Sequence, residues 1–135
     1  MIETMTAAQA AGFWGGLLVL LLLALSVRVV LNRRKHRVSL GDGGSEPMTL
    51  AMRAFGNAAE YTPLAIGALI LLAVTGAVPW LVHLIGGTFF LGRLLHPTGL
   101  RFHRAPGLGR VVGMLLTWLP LLVAALVLAL GPFLA

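Results

Sequence analysis

Four polar residues with complementary chemistry recur at helical spacing in the middle of the chain: Arg53, Asn57, Glu60 and Tyr61. Positions i, i+4, i+7 and i+8 share one face of an α-helix, because the helix turns every 3.6 residues. That face presents a guanidinium, an amide, a carboxylate and a phenol together. Such a set of side chains can either bind a polar ligand or pair with side chains of another helix.

Glu60 is the most demanding of these residues, because the segment around it is apolar. It lies about 10 Å along the helix from Arg53, which is hydrocarbon depth if the helix spans a membrane. An ionisable residue there costs about 2.5–3.5 kcal/mol, so Glu60 must face protein or a water-filled cavity, and the default interpretation is functional. The structural alternative is an ion pair between Glu60 and an arginine of another helix. The residues alone leave both interpretations open.

Further polar candidates lie near the ends of two later apolar stretches. Arg93 and His96 are at i and i+3, so both can face the same neighbour. Arg110 lies at the start of the last apolar stretch. We expect its side chain at the mouth of a cleft between helices, facing the Arg53 end of the earlier helix. Arginines that converge there suit a carboxylate ligand. Arg101 fits a contact with anionic lipid headgroups.

The chain offers little for metal or thiol chemistry. Its four histidines lack metal-ligand spacing and its acidic residues number four, so no metal site is expected. Cysteine is absent, which excludes disulfides, thiolate metal sites and a cysteine nucleophile. Any thiol chemistry must therefore use a thiol that a substrate brings.

Composition indicates which elements must position these side chains. Of 135 residues, 59% are hydrophobic and 10% are charged, and the mean hydropathy is +0.96. A soluble domain of this size exposes too large a share of its surface to hide so much apolar area, which excludes a soluble globular enzyme. Disorder is excluded too, because it requires low hydrophobicity. The sequence predicts an all-α integral membrane protein.

The apolar stretches and the cations together predict a topology. One domain over residues 1–135 is expected, a bundle of four transmembrane helices at about 7–30, 49–75, 80–96 and 109–134, with a polar loop from Asn32 to Met48. The first span is predicted to be an uncleaved anchor, because Glu3 and no Lys or Arg precedes it. All ten cations fall at one membrane face, which the positive-inside rule makes cytoplasmic, with both termini outside. This placement explains the net charge of +6 without nucleic acid.

The pattern Arg-x-x-x-Asn-x-x-Glu-Tyr in the second of four spans resembles the MAPEG family, the membrane-associated proteins of eicosanoid and glutathione metabolism. The resemblance runs from about Leu40 to Trp118. The segments Leu40 to Gly44 and Gly92 to His96 are most similar to a small bacterial branch, which suggests the bacterial inner membrane. The resemblance implies a homotrimer that holds glutathione between neighbouring subunits at the cytoplasmic side.

The resemblance also implies residue roles. Arg110 would be the catalytic residue, whose guanidinium favours the nucleophilic thiolate of glutathione. Arg53 would hold a glutathione carboxylate, Glu60 its ammonium, and Asn57 and Tyr61 would donate hydrogen bonds. The other implied glutathione-binding positions are Arg93, His96 and Arg104. The implied function is a membrane-bound glutathione-dependent transferase or peroxidase, whose acceptor is a lipophilic electrophile or peroxide from the bilayer.

One departure from the family keeps two alternatives open. Catalytic relatives often carry tyrosines along the end of the third span, where this chain reads His96-Pro97-Thr98-Gly99-Leu100, and Tyr61 is its only tyrosine. The first alternative is a non-catalytic protein of the same fold that binds another anionic amphiphile or a lipid. The second is a structural membrane assembly in which Arg53 and Glu60 only pair helices.

Overall fold

The computed structural model describes residues 5–134, and within that range the regular structure is entirely helical. Four α-helices follow in chain order, joined by short connections: α1 (Ala7–His36), α2 (Glu46–Val74), α3 (Pro79–Leu95) and α4 (Leu108–Leu134). Helices α1, α2 and α4 are long and apolar enough to cross a membrane. The predicted all-α membrane bundle of four helices is thereby confirmed. Glu3 and the outermost ends of the predicted domain lie outside the described residues.

Helix α1 continues further than the sequence predicted, because the basic run is helical and not part of the loop. Its start is closed by a capping box between Thr6 and Gln9, and its end by Arg37 in the left-handed region, with φ 53°. The last turn carries Arg33, Arg34, Lys35 and His36. Cations there are favoured by the negative end of the helix dipole, which stabilises the extra helical turns. The connection to α2 therefore begins after His36.

The connection between α1 and α2 is a hydrogen-bonded turn. Asp42 accepts hydrogen bonds from the Gly44 amide at 2.9 Å and from the Thr49 hydroxyl at 3.0 Å. These two bonds, the Gly44 amide first, hold the pKa of Asp42 below its usual range. Arg33 donates to the Gly41 carbonyl at 3.0 Å, which ties the turn to the end of α1. Ser45 then caps α2 by accepting from the Met48 amide.

Helix α3 is short and stops where proline requires it. It has 17 residues, about 26 Å at 1.5 Å per residue, which is at the lower end of the spanning range. A 3-10 turn, His96–Gly99, follows it and contains Pro97. Proline lacks the amide that would continue the α-helical ladder, so the chain tightens there. The predicted span 80–96 thus ends with His96 in a separate turn beside α4.

The main buried core lies between the helices in the half of the bundle that holds the α2–α3 turn. Its largest members are Leu18, Leu69, Leu72, Ile85 and Phe89. Large apolar side chains are also exposed along the helices, as expected for surfaces that face lipid tails. The opposite end of the bundle is called the basic end below. It contains the end of α1, the start of α2, the 3-10 turn and the start of α4.

Helices α3 and α4 cross closely at glycines, and this crossing positions the basic end. A Cβ atom on Gly113 would lie 2.7 Å from both Cα and N of His96 and 2.8 Å from the Gly92 carbonyl oxygen. Gly109 is similarly crowded, since its Cβ would lie 2.8 Å from the Leu95 carbonyl oxygen. Only glycine permits such backbone contact. His96 is thereby placed directly against the first turns of α4.

Candidate functional site

A small polar cavity lies at the basic end, where α2, the 3-10 turn and α4 meet. We call it the polar pocket; it has a volume of about 80 Å³ and is lined by Leu50, Arg53, Asn57, His96, Leu100 and Arg110. Arg53 and Asn57 come from successive turns of one face of α2. Arg110 comes from the first turn of α4 and His96 from the 3-10 turn. The fold thus brings together four of the side chains predicted to bind a ligand.

A larger cavity adjoins it and opens along α4. We call it the apolar pocket; it has a volume of about 560 Å³ and is lined by Asn57, His96, Pro106, Arg110, Val111, Met114, Leu115 and Trp118. Three residues line both pockets: Asn57, His96 and Arg110. The guanidinium-bearing residue Arg110 therefore stands at the border between a polar and an apolar compartment.

The charged side chains of the polar pocket are cationic. Arg53 and Arg110 are both exposed, so each can meet a ligand that enters from the basic end. His96 is 3% exposed, and its Nδ1 is buried without a hydrogen-bond partner in the described structure. In residues 5–134 no three His, Asp or Glu side chains are grouped as a metal would require. The arrangement suits an anion, and the guanidinium fork matches the geometry of a carboxylate or a phosphate.

Arg93 lies behind the polar pocket and not in it. Its side chain is 1% exposed, and Nη1 donates to Asn57 Oδ1 at 2.6 Å. Its Nη2 donates to the hydroxyl of Thr117 and, at 3.4 Å, to the Gly113 carbonyl. The guanidinium carbon also lies 5.7 Å from the centre of the Tyr61 ring, a cation–π distance. Arg93 thus joins α2, α3 and α4 from inside the protomer.

The other predicted ligand-binding residues lie elsewhere. The Tyr61 hydroxyl accepts a hydrogen bond from the Trp118 indole nitrogen at 3.1 Å, so the tyrosine is tied to the wall of the apolar pocket. Glu60 is exposed on α2. Arg104 is exposed in the connection between the 3-10 turn and α4. Neither Glu60 nor Arg104 is among the residues that line the two pockets.

Sequence reasoning missed the contribution of α4 beyond Arg110. Met114 and Trp118 line the apolar pocket, and Thr117 binds Arg93. These residues follow Arg110 at i+4, i+8 and i+7, the same spacing that marked α2. The signal was present, but none of the three bears a charge, and apolar periodicity in a membrane helix is equally typical of core packing.

Comparison with known proteins places the chain among helical membrane proteins. The sequence model of the MAPEG family matches residues 11–130. The inner membrane protein YecN of Escherichia coli strain K12 is 41% identical over 118 residues, which cover 87% of this chain and 88% of that relative. YecN of Escherichia coli strain CFT073 shows the same identity and coverage. No solved structure matches the chain with significance.

Proposed function

The chain belongs to the MAPEG family, and from this membership we propose a membrane-bound glutathione-dependent transferase or peroxidase that acts on a lipophilic electrophile. The observation that carries the proposal is the junction of the two pockets at Asn57, His96 and Arg110. A polar thiol peptide and an apolar acceptor need adjoining compartments of opposite character. The reacting sulfur would lie where the compartments meet.

Arg110 is the proposed catalytic residue. The thiol of glutathione has a pKa near 8.5, and only its thiolate is a strong nucleophile. A guanidinium beside the sulfur favours the thiolate, and Arg110 also faces the apolar pocket from which the acceptor would come. In conjugation, the sulfur forms a bond to the electrophilic carbon while the leaving group departs with the electron pair. In peroxide reduction, the sulfur attacks one peroxide oxygen, and the other oxygen leaves with the electron pair of the O–O bond and takes up a proton to give an alcohol. The glutathione sulfenic acid that results is reduced by a second glutathione, which gives the disulfide and water.

Arg53 and Asn57 are proposed to hold the peptide. Arg53 is exposed at the pocket and can pair with a carboxylate, and Asn57 can donate through its amide nitrogen. The Tyr61 hydroxyl accepts a hydrogen bond from the Trp118 indole, so Tyr61 would contribute by holding Trp118 in the wall of the apolar pocket. His96 would close the floor of the pocket.

A single protomer leaves this site incomplete, which supports the proposal of a homotrimer. The polar pocket of about 80 Å³ is far smaller than the roughly 300–1,000 Å³ that enclose a drug-sized ligand. Glu60 is exposed on a membrane helix, where a carboxylate facing lipid would be costly. A neighbouring copy that covers this face of α2 would bring Glu60 into the site, where it can bind the ammonium group of glutathione.

The membrane and its sides are part of the same proposal. The relatives are inner membrane proteins of a bacterium, and we assign this chain to a bacterial inner membrane. The basic end faces the cytoplasm by the positive-inside rule, and the termini lie outside. Glutathione would therefore enter from the cytoplasm and the acceptor from the bilayer, with lipid headgroups around the exposed arginines. Nucleic acid and metal have no part in the proposed function.

Binding tests the proposal first. The Arg53→Ala variant should bind glutathione at least tenfold more weakly than the unchanged protein, because a charge-assisted bond to a carboxylate is worth about 1.5–3 kcal/mol. Calorimetry on the detergent-purified oligomer measures this, with Arg28→Ala as the control on an exposed arginine of α1. Absence of binding by the intact oligomer at millimolar glutathione would end the transferase proposal.

Glu60 separates ligand binding from a purely structural assembly. The Glu60→Gln variant should keep the oligomer and bind glutathione about tenfold more weakly, because a neutral amide cannot pair with the ammonium group. Light scattering after size exclusion gives the oligomeric state, and calorimetry gives the affinity. If the oligomer falls apart while any remaining assembly binds normally, Glu60 serves only to join helices.

A second candidate function rests on the tyrosine. The only tyrosine of the chain is engaged with Trp118, and the end of α3 carries none. A non-catalytic protein could use the same two pockets to bind another anionic amphiphile, with its acid at the arginines and its chain along α4. A co-purified amphiphile found by mass spectrometry, together with no conjugation activity, would favour this candidate.

A further inference from the structure

We propose that Arg93 and Thr117 are positioning residues that orient the side-chain amide of Asn57 toward a ligand in the polar pocket. This inference rests on the proposed function for the ligand, but the orientation itself is a property of the chain. Neither residue can touch a ligand, because Arg93 is 1% and Thr117 is 0% exposed. Both act through Asn57, which lines both pockets.

The chemistry of the contacts determines which end of the amide faces the pocket. A guanidinium is only a donor, so the Asn57 atom at 2.6 Å from Arg93 Nη1 must be the oxygen. The amide NH₂ group is then left free of Arg93. A free Asn side chain can both donate and accept hydrogen bonds, but in this orientation Asn57 offers the pocket only its NH₂ donor.

Thr117 holds Arg93 in the orientation that makes this bond. Its hydroxyl donates to the Gly113 carbonyl at 2.7 Å, so its oxygen is left to accept from Arg93 Nη2. Arg93 thus donates through Nη1 to Asn57 Oδ1 and through Nη2 to the Thr117 hydroxyl. Nη2 also has longer contacts to the Gly113 carbonyl at 3.4 Å and the Met114 sulfur at 3.5 Å. A hydroxyl-free side chain at position 117 would leave Nη2 with only these two longer contacts.

The close crossing of α3 and α4 makes the network possible. A Cβ on Gly92 would lie 2.8 Å from the Gly113 carbonyl oxygen, so the two backbones are in contact beside Arg93. The guanidinium therefore reaches α4 and α2 at once. With Asn57 oriented as a donor beside Arg53 and Arg110, the pocket selects a ligand whose facing group only accepts hydrogen bonds, as a carboxylate does.

The test uses the fact that asparagine occurs only at positions 32 and 57 of the chain. Selective ¹⁵N labelling of asparagine therefore yields two side-chain amide signals, and Asn32 on α1 is the internal reference. Thr117→Val, which keeps the volume and removes the hydroxyl, should shift the Asn57 amide signals without ligand and lower the affinity for glutathione about five- to tenfold. Thr117→Ser should restore both.

The matched control is Thr62→Val, a buried threonine about 140° around α2 from Asn57, which should leave both readouts unchanged. Arg93→Lys keeps the positive charge but loses the two separate nitrogens of the guanidinium, so it should move the Asn57 signals as Thr117→Val does. It replaces Thr117→Val in the test if the Thr117→Val protein fails to fold. Unchanged Asn57 signals in a folded Thr117→Val or Arg93→Lys protein would overturn the inference. Shifted signals in a protein that binds no glutathione would uphold the positioning role and reject the proposed function.

Discussion

Replacing Arg110 with alanine should lower the kcat of glutathione conjugation by about 100- to 1,000-fold at pH 7, the range seen when one preorganised charge-stabilising donor is removed. Arg110 is the cation that lines both pockets, so its loss leaves the thiolate without the guanidinium at the compartment border. Chlorodinitrobenzene is a suitable acceptor, because its conjugate with glutathione is followed by absorbance. The KM for glutathione should change much less than kcat.

The pH profile identifies the cause of this loss. On the proposed mechanism, Arg110 lowers the pKa of the glutathione thiol below its usual value of about 8.5, so the thiolate fraction near neutral pH rises. In Arg110→Ala the profile should move to higher pH, and part of the rate should return near pH 9, where the free thiol ionises unaided. Arg28→Ala is the matched control, an exposed arginine of α1 that lines neither pocket. Equal turnover of Arg110→Ala and the unchanged protein would remove Arg110 from the mechanism.

The Gly113→Ala variant should unfold in detergent at a temperature about 5–15 °C below that of the unchanged protein. The added methyl would lie 2.7 Å from backbone atoms of His96, which cannot rotate away as a side chain could. Helices α3 and α4 must therefore separate, at a cost of about 1–3 kcal/mol. Because His96 and Arg110 lie at this crossing, both pockets should be distorted as well.

Gly16→Ala is the matched control for this effect. Like Gly113, Gly16 lies inside a helix, but nothing lies within 4 Å of a Cβ built on it. Alanine there should raise stability slightly, by up to about 0.5–1 kcal/mol, because it lowers the entropy that helix formation costs at glycine. Thermal unfolding followed by intrinsic tryptophan fluorescence compares the two variants. A Gly113→Ala protein as stable as Gly16→Ala would contradict the close crossing.

Much of the fold followed from composition and from local spacing. The apolar stretches predicted the helix ends to within three residues, except for the end of α1, which lies six residues further on than predicted. Such stretches can be recognised without tertiary contacts, because a span needs about 20 apolar residues. The cations marked one end of the bundle in the same way. Arg53 and Asn57 were found because helical periodicity places them on one face of one element.

Helical spacing does not show which other helices pack against that face of α2. Arg93 carries the same charge as Arg53 and Arg110, yet it is buried and bonded to Asn57 and Thr117, whereas the other two are exposed at the pocket. Burial depends on which helices pack around a position. The network that includes Thr117 is therefore visible only after the α3–α4 crossing is known.

Two glycine pairs show the same difference between what residue spacing indicates and what helix packing decides. Gly12 with Gly16 and Gly109 with Gly113 have identical spacing, which by itself suits close helix approach equally in both pairs. In the protomer only the second pair meets another backbone, whereas the first leaves open space. The sequence by itself determined the membrane class, the helices and the polar face of α2, because these are properties of single segments. The tertiary structure decided which arginine is buried and bonded between helices and which arginines are exposed at the polar pocket, because those depend on contacts between segments far apart in the chain.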